Sequence, residues 1–223
     1  LILFASFILL YEYYHIFNMR PFNVNFYITY SVVAITCILT YLNYLDYIFF
    51  LFLLGFIILY IITSKTFFLY STFSIIYFAL PSSLLVFLNH NVVNGKVAIL
   101  WLFTIVWATD TFGYITGKTF KGPKLIKLLS PNKTWSGFVG AITGAIISSI
   151  FFCYFTNYQN LYKGALFGFL IALFSILGDL FESYLKRKNN KKDSSAWLPG
   201  HGGLLDRLDG FLFAIVILSL LTL

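Results

Sequence analysis

Apolar stretches recur along the whole chain, from Leu1 to Leu223, and only short polar breaks separate them. A helix crossing the roughly 30 Å hydrocarbon core of a bilayer needs about 20 mostly apolar residues. That length divides the chain into eight candidate spans: 1–17, 26–42, 46–62, 66–88, 97–116, 135–156, 163–185 and 204–223. The first three are short, and Pro81 is expected to kink or break the fourth. No segment between spans has room to fold as a soluble domain. Composition agrees, with 60% hydrophobic and 10% charged residues, against roughly 25% charged in an ordinary soluble domain. A soluble monomer is excluded. The expected fold class is all-α, a polytopic membrane helix bundle with about eight transmembrane helices.

The chain opens on Leu1 and its one methionine is Met19, so a native start upstream is expected. The opening residues have neither the basic region nor the small-residue cleavage site of a signal peptide. Cys37 and Cys153 fall inside apolar stretches with no CxxC or Cys/His spacing, and are expected to be free and buried.

If all eight spans cross, the basic residues divide unequally. Arg20, Lys65, Lys118, Lys121, Lys124, Lys127, Lys133, Lys186, Arg187, Lys188, Lys191 and Lys192 share one side, and only Lys96 and Lys163 fall on the other. The positive-inside rule makes the richer side cytoplasmic and places both ends of this chain opposite. The acids follow the same side: Asp110, Asp179, Glu182, Asp193, Asp206 and Asp209 converge there, six of the eight in the chain. Gly137, Gly140 and Gly144 on the sixth span, with Gly164 and Gly168 on the seventh, have the spacing of close helix packing in lipid. The many Tyr and Phe residues read as interfacial anchors and lipid-facing bulk.

Asp179 and Glu182 lie three residues apart, as do Asp206 and Asp209, so each pair shares one face of its helix. A charged residue at the centre of a span costs about 2.5–3.5 kcal/mol on insertion scales, less near its end. Arg207 can neutralise only part of such a cluster. A divalent cation would resolve the conflict, since Mg²⁺ is usually held by one or two carboxylates together with substrate phosphates.

Between the pairs run the basic stretch Lys186 to Lys192, then Asp193, and then Leu198-Pro199-Gly200-His201-Gly202-Gly203. Glycines free to take positive φ can turn successive N–H groups toward phosphate oxygens, and a histidine in such a loop suits hydrogen bonding to substrate. Gly113 to Thr119 is one residue short of a GxxxxGK[ST] phosphate loop and follows a membrane helix where that motif needs a strand, so the likeness is rejected. In Ser130-Pro131-Asn132-Lys133-Thr134, just before the sixth span, hydroxyls and helix N–H groups can hold phosphate; N-capping by Thr134 is the equal alternative.

Taken together, Ser183-Tyr184-Leu185-Lys186-Arg187, Lys192-Asp193 and the run Leu198 to Asp209 resemble the signature of phosphatidate cytidylyltransferases, also called CDP-diacylglycerol synthases. Gly178 to Ser183 looks like the family's run into that signature, and Asp110-Thr111 and Ser130 to Trp135 resemble two earlier landmarks, so the likeness covers roughly residues 97–223. Ser136 departs from the Glu or Gln common in relatives. The N-terminal half is similar only broadly, through its spans and an early acid, Glu12. Residues 1–96 are accordingly read as N-terminal transmembrane helices that lack the native start, and 97–223 as the catalytic transmembrane region.

The resemblance implies that CTP and phosphatidate give CDP-diacylglycerol and pyrophosphate with Mg²⁺, a second metal or a monovalent cation being an open addition. Asp179, Asp206 and Asp209 would hold metal, with Glu182, Asp193 and Asp110 as ligands or beside them. Lys186, Arg187 and Lys192 would bind phosphates, and Arg207 would pair with the acids or the lipid phosphate. Ser130, Lys133 and Thr134 would contact CTP or pyrophosphate, with His201, Gly202 and Gly203 also in the substrate site. The expected setting is the lipid bilayer of a bacterial-type inner membrane with the site facing the cytoplasm. No nucleic acid is expected as a partner, and a homodimer is the candidate assembly. A CTP-dependent lipid kinase and an ion-coupled transporter are the rival readings; the transporter predicts midplane acids and inverted repeats, which the sequence lacks.

Overall fold

The computed structural model describes residues 1–126, 129–195 and 202–222. Among these are eight helices and one two-stranded hairpin, divided between two compact units. Residues 1–92 with 188–207 form the first, and residues 93–187 with 208–223 the second.

The first unit contains α1 (Ile2–Ile16), α2 (Val24–Tyr41), α3 (Asp46–Ile62) and α4 (Lys65–Asn91). Asn23 starts α2 by accepting from the Phe26 N–H at 2.8 Å, which satisfies one of the orphan donors of a helix start. The core is aromatic. Tyr13, Tyr14, Phe26 and Phe78 are fully buried, with Tyr14 edge-on to Phe26 at 5.3 Å and Tyr13 edge-on to Phe78 at 5.6 Å. Their polar ends are used as well: the Tyr13 hydroxyl donates to the Tyr70 carbonyl at 3.1 Å, and Tyr14 pairs with Thr29 Oγ1 at 3.3 Å. These rings are therefore core, where bulk facing lipid was expected; Tyr47, Phe49 and Tyr60 do remain exposed.

Pro81 does not break α4, which runs without interruption from Lys65 to Asn91. The Ser83 hydroxyl donates to the Leu80 carbonyl at 2.9 Å, and in apolar surroundings ending the helix would strand further backbone groups.

The second unit contains α5 (Gly95–Phe120), β1 (Lys124–Ile126), β2 (Ser130–Thr134), α6 (Trp135–Thr156), α7 (Leu161–Lys188) and the main part of α8 (Leu205–Thr222). Two helices are longer than their spans suggest. α5 carries Gly113 to Thr119 as regular helix, and α7 carries Lys186, Arg187 and Lys188 in its last turn. The antiparallel hairpin pairs Lys124 with Thr134 and Ile126 with Ser130.

Small residues set the helix spacing, as their sequence positions predict. A Cβ on Gly137 would lie 2.9 Å from the Gly113 carbonyl oxygen, and one on Gly140 or Gly144 would fall on Thr116 or Phe112. On the other side of α6, Gly168 leaves room for Ser149, whose hydroxyl donates to the Gly164 carbonyl at 2.6 Å and accepts from Trp101 Nε1 at 3.0 Å. That one hydroxyl links α5, α6 and α7.

Five helices are long and apolar enough to cross a membrane: Val24–Tyr41, Phe67–Asn91, Gly95–Phe120, Trp135–Thr156 and Leu161–Lys188. Ile2–Ile16 and Asp46–Ile62 are apolar but shorter, and α8 opens on Asp206, Arg207 and Asp209. Both cysteines are buried and free.

Gly137→Ala should lower the thermal midpoint of the purified protein, because its new methyl group meets backbone that cannot turn aside; overpacking of this kind costs about 1–3 kcal/mol. Val139→Ala, at an exposed position two residues on, should leave the midpoint unchanged. Equal midpoints for the two variants would remove the case for backbone contact at the α5–α6 crossing.

Candidate active site

Lys133 sits on β2, half-buried, and its ammonium pairs with the Asp179 carboxylate on α7. The strand is anchored at both ends of its turn into α6. The Trp135 N–H donates to the Pro123 carbonyl at 3.1 Å, and Thr134 Oγ1 accepts from the Gly137 N–H at 3.1 Å as the N-cap of α6. Ser136 donates to the Lys121 carbonyl. The position of Lys133 is thus tied to the start of a membrane helix.

Around this pair lies a cavity of about 770 Å³, lined by Lys118, Lys121, Lys124, Lys133, Asp110 and Asp179, with Phe138, Ala141 and Ile176 as apolar wall. Gly113, Gly117 and Gly137 also line it, so the close α5–α6 crossing forms part of its surface. The Lys118 ammonium stands 3.2 Å from the Tyr114 hydroxyl. A cavity with lysines and apolar wall together suits a ligand that is phosphate at one end and hydrocarbon at the other.

The acids of α7 and α8 meet beside it. A Cβ on Gly178 would lie 2.5 Å from the Asp209 carbonyl oxygen, and Gly210 is pressed equally close to Ser175. This crossing brings Asp209 within hydrogen-bonding reach of Glu182 and into the field of Asp179. Cations within the unit answer the charges: Lys186 Nζ lies 2.8 Å from Glu182 Oε2, and Lys133 holds Asp179. Arg207 is exposed in the first turn of α8.

Among the described residues, no three His, Cys, Asp or Glu side chains are placed to hold a metal ion by themselves. The oxygens of Asp179, Glu182 and Asp209 nevertheless have the hard-donor chemistry of Mg²⁺, which takes one or two carboxylates and completes its shell with water and phosphate.

Asp206 has a different environment, within the first unit. Its carboxylate accepts from the Ser194 N–H at 3.0 Å, the Ser194 hydroxyl at 2.8 Å and the Gly203 N–H at 2.7 Å. Gly202 does take positive φ, at 76°. The Gly203 N–H turns onto the chain's own carboxylate, however, where the sequence suggested phosphate. The N–H groups of Leu204 and Leu205 also meet a carboxylate, that of Glu12 on α1, at 2.9 Å and 2.6 Å.

Glu12 is fully buried; it also accepts from the Ser195 hydroxyl at 2.7 Å and lies 3.2 Å from the Ser194 hydroxyl, which it shares with Asp206. Beside it, His15 Nδ1 is 3.0 Å from the Ser194 carbonyl and 3.3 Å from Lys191 Nζ. Burial holds the Lys191 ammonium below the usual lysine range. Sequence reasoning noticed Glu12 without giving it a role, and passed over Ser194 and Ser195. The available signal was a lone acid in an apolar stretch, which is a functional candidate by default.

Of the remaining predicted residues, Lys192, Asp193, Arg187 and Asp110 are exposed and Ser130 is half-buried on β2. His201 lies outside the described residues.

Repeated apolar helices of membrane-crossing length make this a multi-pass integral membrane protein, with a lysine-lined cavity beside clustered acids. The chain belongs to the cytidylyltransferase family, whose model matches residues 1–223. It is similar to proteins named phosphatidate cytidylyltransferase from Rickettsia conorii, at 44% identity over 149 residues, which is 64% of each chain. The Rickettsia bellii protein of that name is 42% identical over 159 residues, 67% of this chain and 68% of the relative. For the Brucella abortus protein the figures are 40% over 126 residues, 56% and 47%. The match spans about two thirds of the length of the rickettsial relatives and about half of the Brucella one.

Thr134→Ala should lower stability by about 1 kcal/mol, the usual loss for an N-cap, read as a fall in thermal midpoint that Thr134→Ser largely avoids. An unchanged midpoint with weakened nucleotide binding would instead make Thr134 a substrate contact.

Proposed function

We propose that this protein transfers the cytidylyl group of CTP to phosphatidate, forming CDP-diacylglycerol and pyrophosphate, at the cytoplasmic face of a bacterial inner membrane. Membership of the cytidylyltransferase family supports this, together with the names of the relatives. The observation that carries it at the level of the site is the cavity in which lysines and apolar wall meet beside Asp179. The proposed orientation rests on the twelve-to-two division of basic residues.

A phosphate monoester with a second pKa near 6 is largely dianionic at pH 7, so the lipid phosphate needs no dedicated base. One of its oxygens attacks the α-phosphorus of CTP. The new P–O bond forms as the bond from the α-phosphorus to the bridging oxygen breaks, and pyrophosphate leaves with that electron pair. The protein's task is then alignment and charge neutralisation.

Lys118, Lys121, Lys124 and Lys133 bind phosphate oxygens, and the Asp179 carboxylate keeps Lys133 turned toward the cavity. The apolar wall accepts the first methylenes of the acyl chains while CTP enters from water. Asp179, Glu182 and Asp209 would hold Mg²⁺, which would supply positive charge at the transferring group. Lys186 keeps Glu182 from standing as an unbalanced buried charge.

The decisive experiment incubates purified protein with phosphatidate, Mg²⁺ and CTP labelled either in cytidine or in the γ-phosphate. Cytidine label should enter lipid with release of pyrophosphate. Entry of γ-label alone would make the protein a CTP-dependent lipid kinase. Lys133→Ala should raise the KM for CTP about tenfold with a smaller change in kcat, as loss of uniform binding requires. Asp209→Asn should abolish Mg²⁺-dependent turnover, and normal Mg²⁺-dependent turnover in that variant would sink the metal assignment.

A further inference from the structure

One buried carboxylate of the first unit, Glu12, lies on α1, far in sequence from the signature segment. Glu12 Oε1 accepts from Ser195 Oγ and the Leu204 N–H, and Oε2 accepts from the Leu205 N–H and lies 3.2 Å from Ser194 Oγ. Two N–H groups and the Ser195 hydroxyl donate to it, as an ionised carboxylate requires, and the one Ser194 hydroxyl proton is shared with Asp206. Both amides lie at the start of α8, where the helix dipole favours negative charge.

We propose that Glu12 is a positioning residue for the cytidylyl transfer proposed above: its carboxylate fixes Ser194, Ser195 and the first turn of α8, and thereby the start of the helix that carries Asp206 and, three residues on, Asp209. Ser194 is the joint. Its hydroxyl lies within reach of both Glu12 and Asp206, and its N–H donates to Asp206. Gly203 completes the arrangement, because a Cβ there would fall on Ser194 Oγ and the Glu12 carboxylate. The backbone has closed onto the acid as far as a glycine allows.

A purely structural reason for Glu12 is weak. Well-packed apolar side chains usually stabilise a buried position as well as or better than charges do. A multi-dentate carboxylate does what they cannot, which is to set the directions of several N–H and O–H groups at once. Misplacement of a reacting constellation by about 1 Å can cost about 100-fold in rate, so the loss on removing Glu12 belongs in kcat.

The test uses the full chain, with cytidine-labelled CTP and phosphatidate in mixed micelles. Glu12→Gln turns one acceptor oxygen into an NH₂ group that faces donors. Its kcat should fall about 10- to 100-fold with both KM values within about threefold of the unaltered chain, and Glu12→Asp, which keeps the charge, should recover part of the loss. Hydrogen exchange supplies the readout that does not depend on turnover: the amides of Leu204 and Leu205 should exchange about tenfold faster or more in Glu12→Gln, with α2 and α4 unchanged.

Unaltered kcat in Glu12→Gln overturns the proposal, as does unaltered exchange at Leu204 and Leu205. If Glu12→Gln does not fold, Ser195→Ala decides: a lower kcat at constant KM supports the assignment and an unaltered kcat overturns it. Failure of the unaltered chain to label lipid is a failure of the functional reading alone, and the exchange measurement then still decides whether Glu12 holds the segment.

Discussion

A charge placed among apolar helices has to be answered from within the chain, and much of this structure is the record of those answers. Insertion of a charged side chain at mid-span costs about 2.5–3.5 kcal/mol even on lenient scales. Glu12 is met by Ser195 and the Leu204 and Leu205 amides, Asp206 by Ser194 and Gly203, Asp179 by Lys133, and Glu182 by Lys186. Each answer orders a piece of backbone that apolar packing alone would leave undirected: the start of α8, the segment at Ser194, the hairpin and the last turns of α7.

Small residues make these answers geometrically possible. The contact of Gly137 with Gly113 and Gly117 brings α5 and α6 together where the cavity opens, and Gly178 against Asp209 and Gly210 does the same for α7 and α8 beneath the acids. Close approach in lipid relies on van der Waals contact and hydrogen bonds across the interface, since burying apolar surface gains little there. The glycines and the carboxylates are therefore one design: backbones come close, and the side chains flanking each crossing carry the charge.

Much of this was legible in the sequence, and the limits have physical causes. Apolar length revealed the helices, because backbone in hydrocarbon must satisfy itself. The spacing of Gly137, Gly140 and Gly144 revealed the α5–α6 face. The i,i+3 pairs pointed to the region of the acids, and Asp179, Glu182 and Asp209 do gather there. The hairpin was not legible: Lys124 to Ile126 and Ser130 to Thr134 are too short to show alternation, and their pairing depends on anchors such as the Trp135 N–H to the Pro123 carbonyl. Local spacing also could not show that the N–H groups after Gly202 face Glu12 and Asp206, since the first of those acids lies some 190 residues earlier. Tyr13 and Phe26 look like lipid-facing aromatics in a string of aromatics, and only the packing of α1, α2 and α4 makes them core.

That separation has a consequence for how the protein is made. Glu12 lies near the beginning of the chain as given, and its partners Ser194, Ser195, Leu204 and Leu205 are 182–193 residues later. At synthesis rates of about 5–20 residues per second, roughly 10–40 s pass between the emergence of the acid and that of the groups that neutralise it. During that interval α1 carries a carboxylate that its own helix cannot satisfy, so its final seating waits for the start of α8. The start of α8 thus completes the shell of an acid laid down some 190 residues earlier.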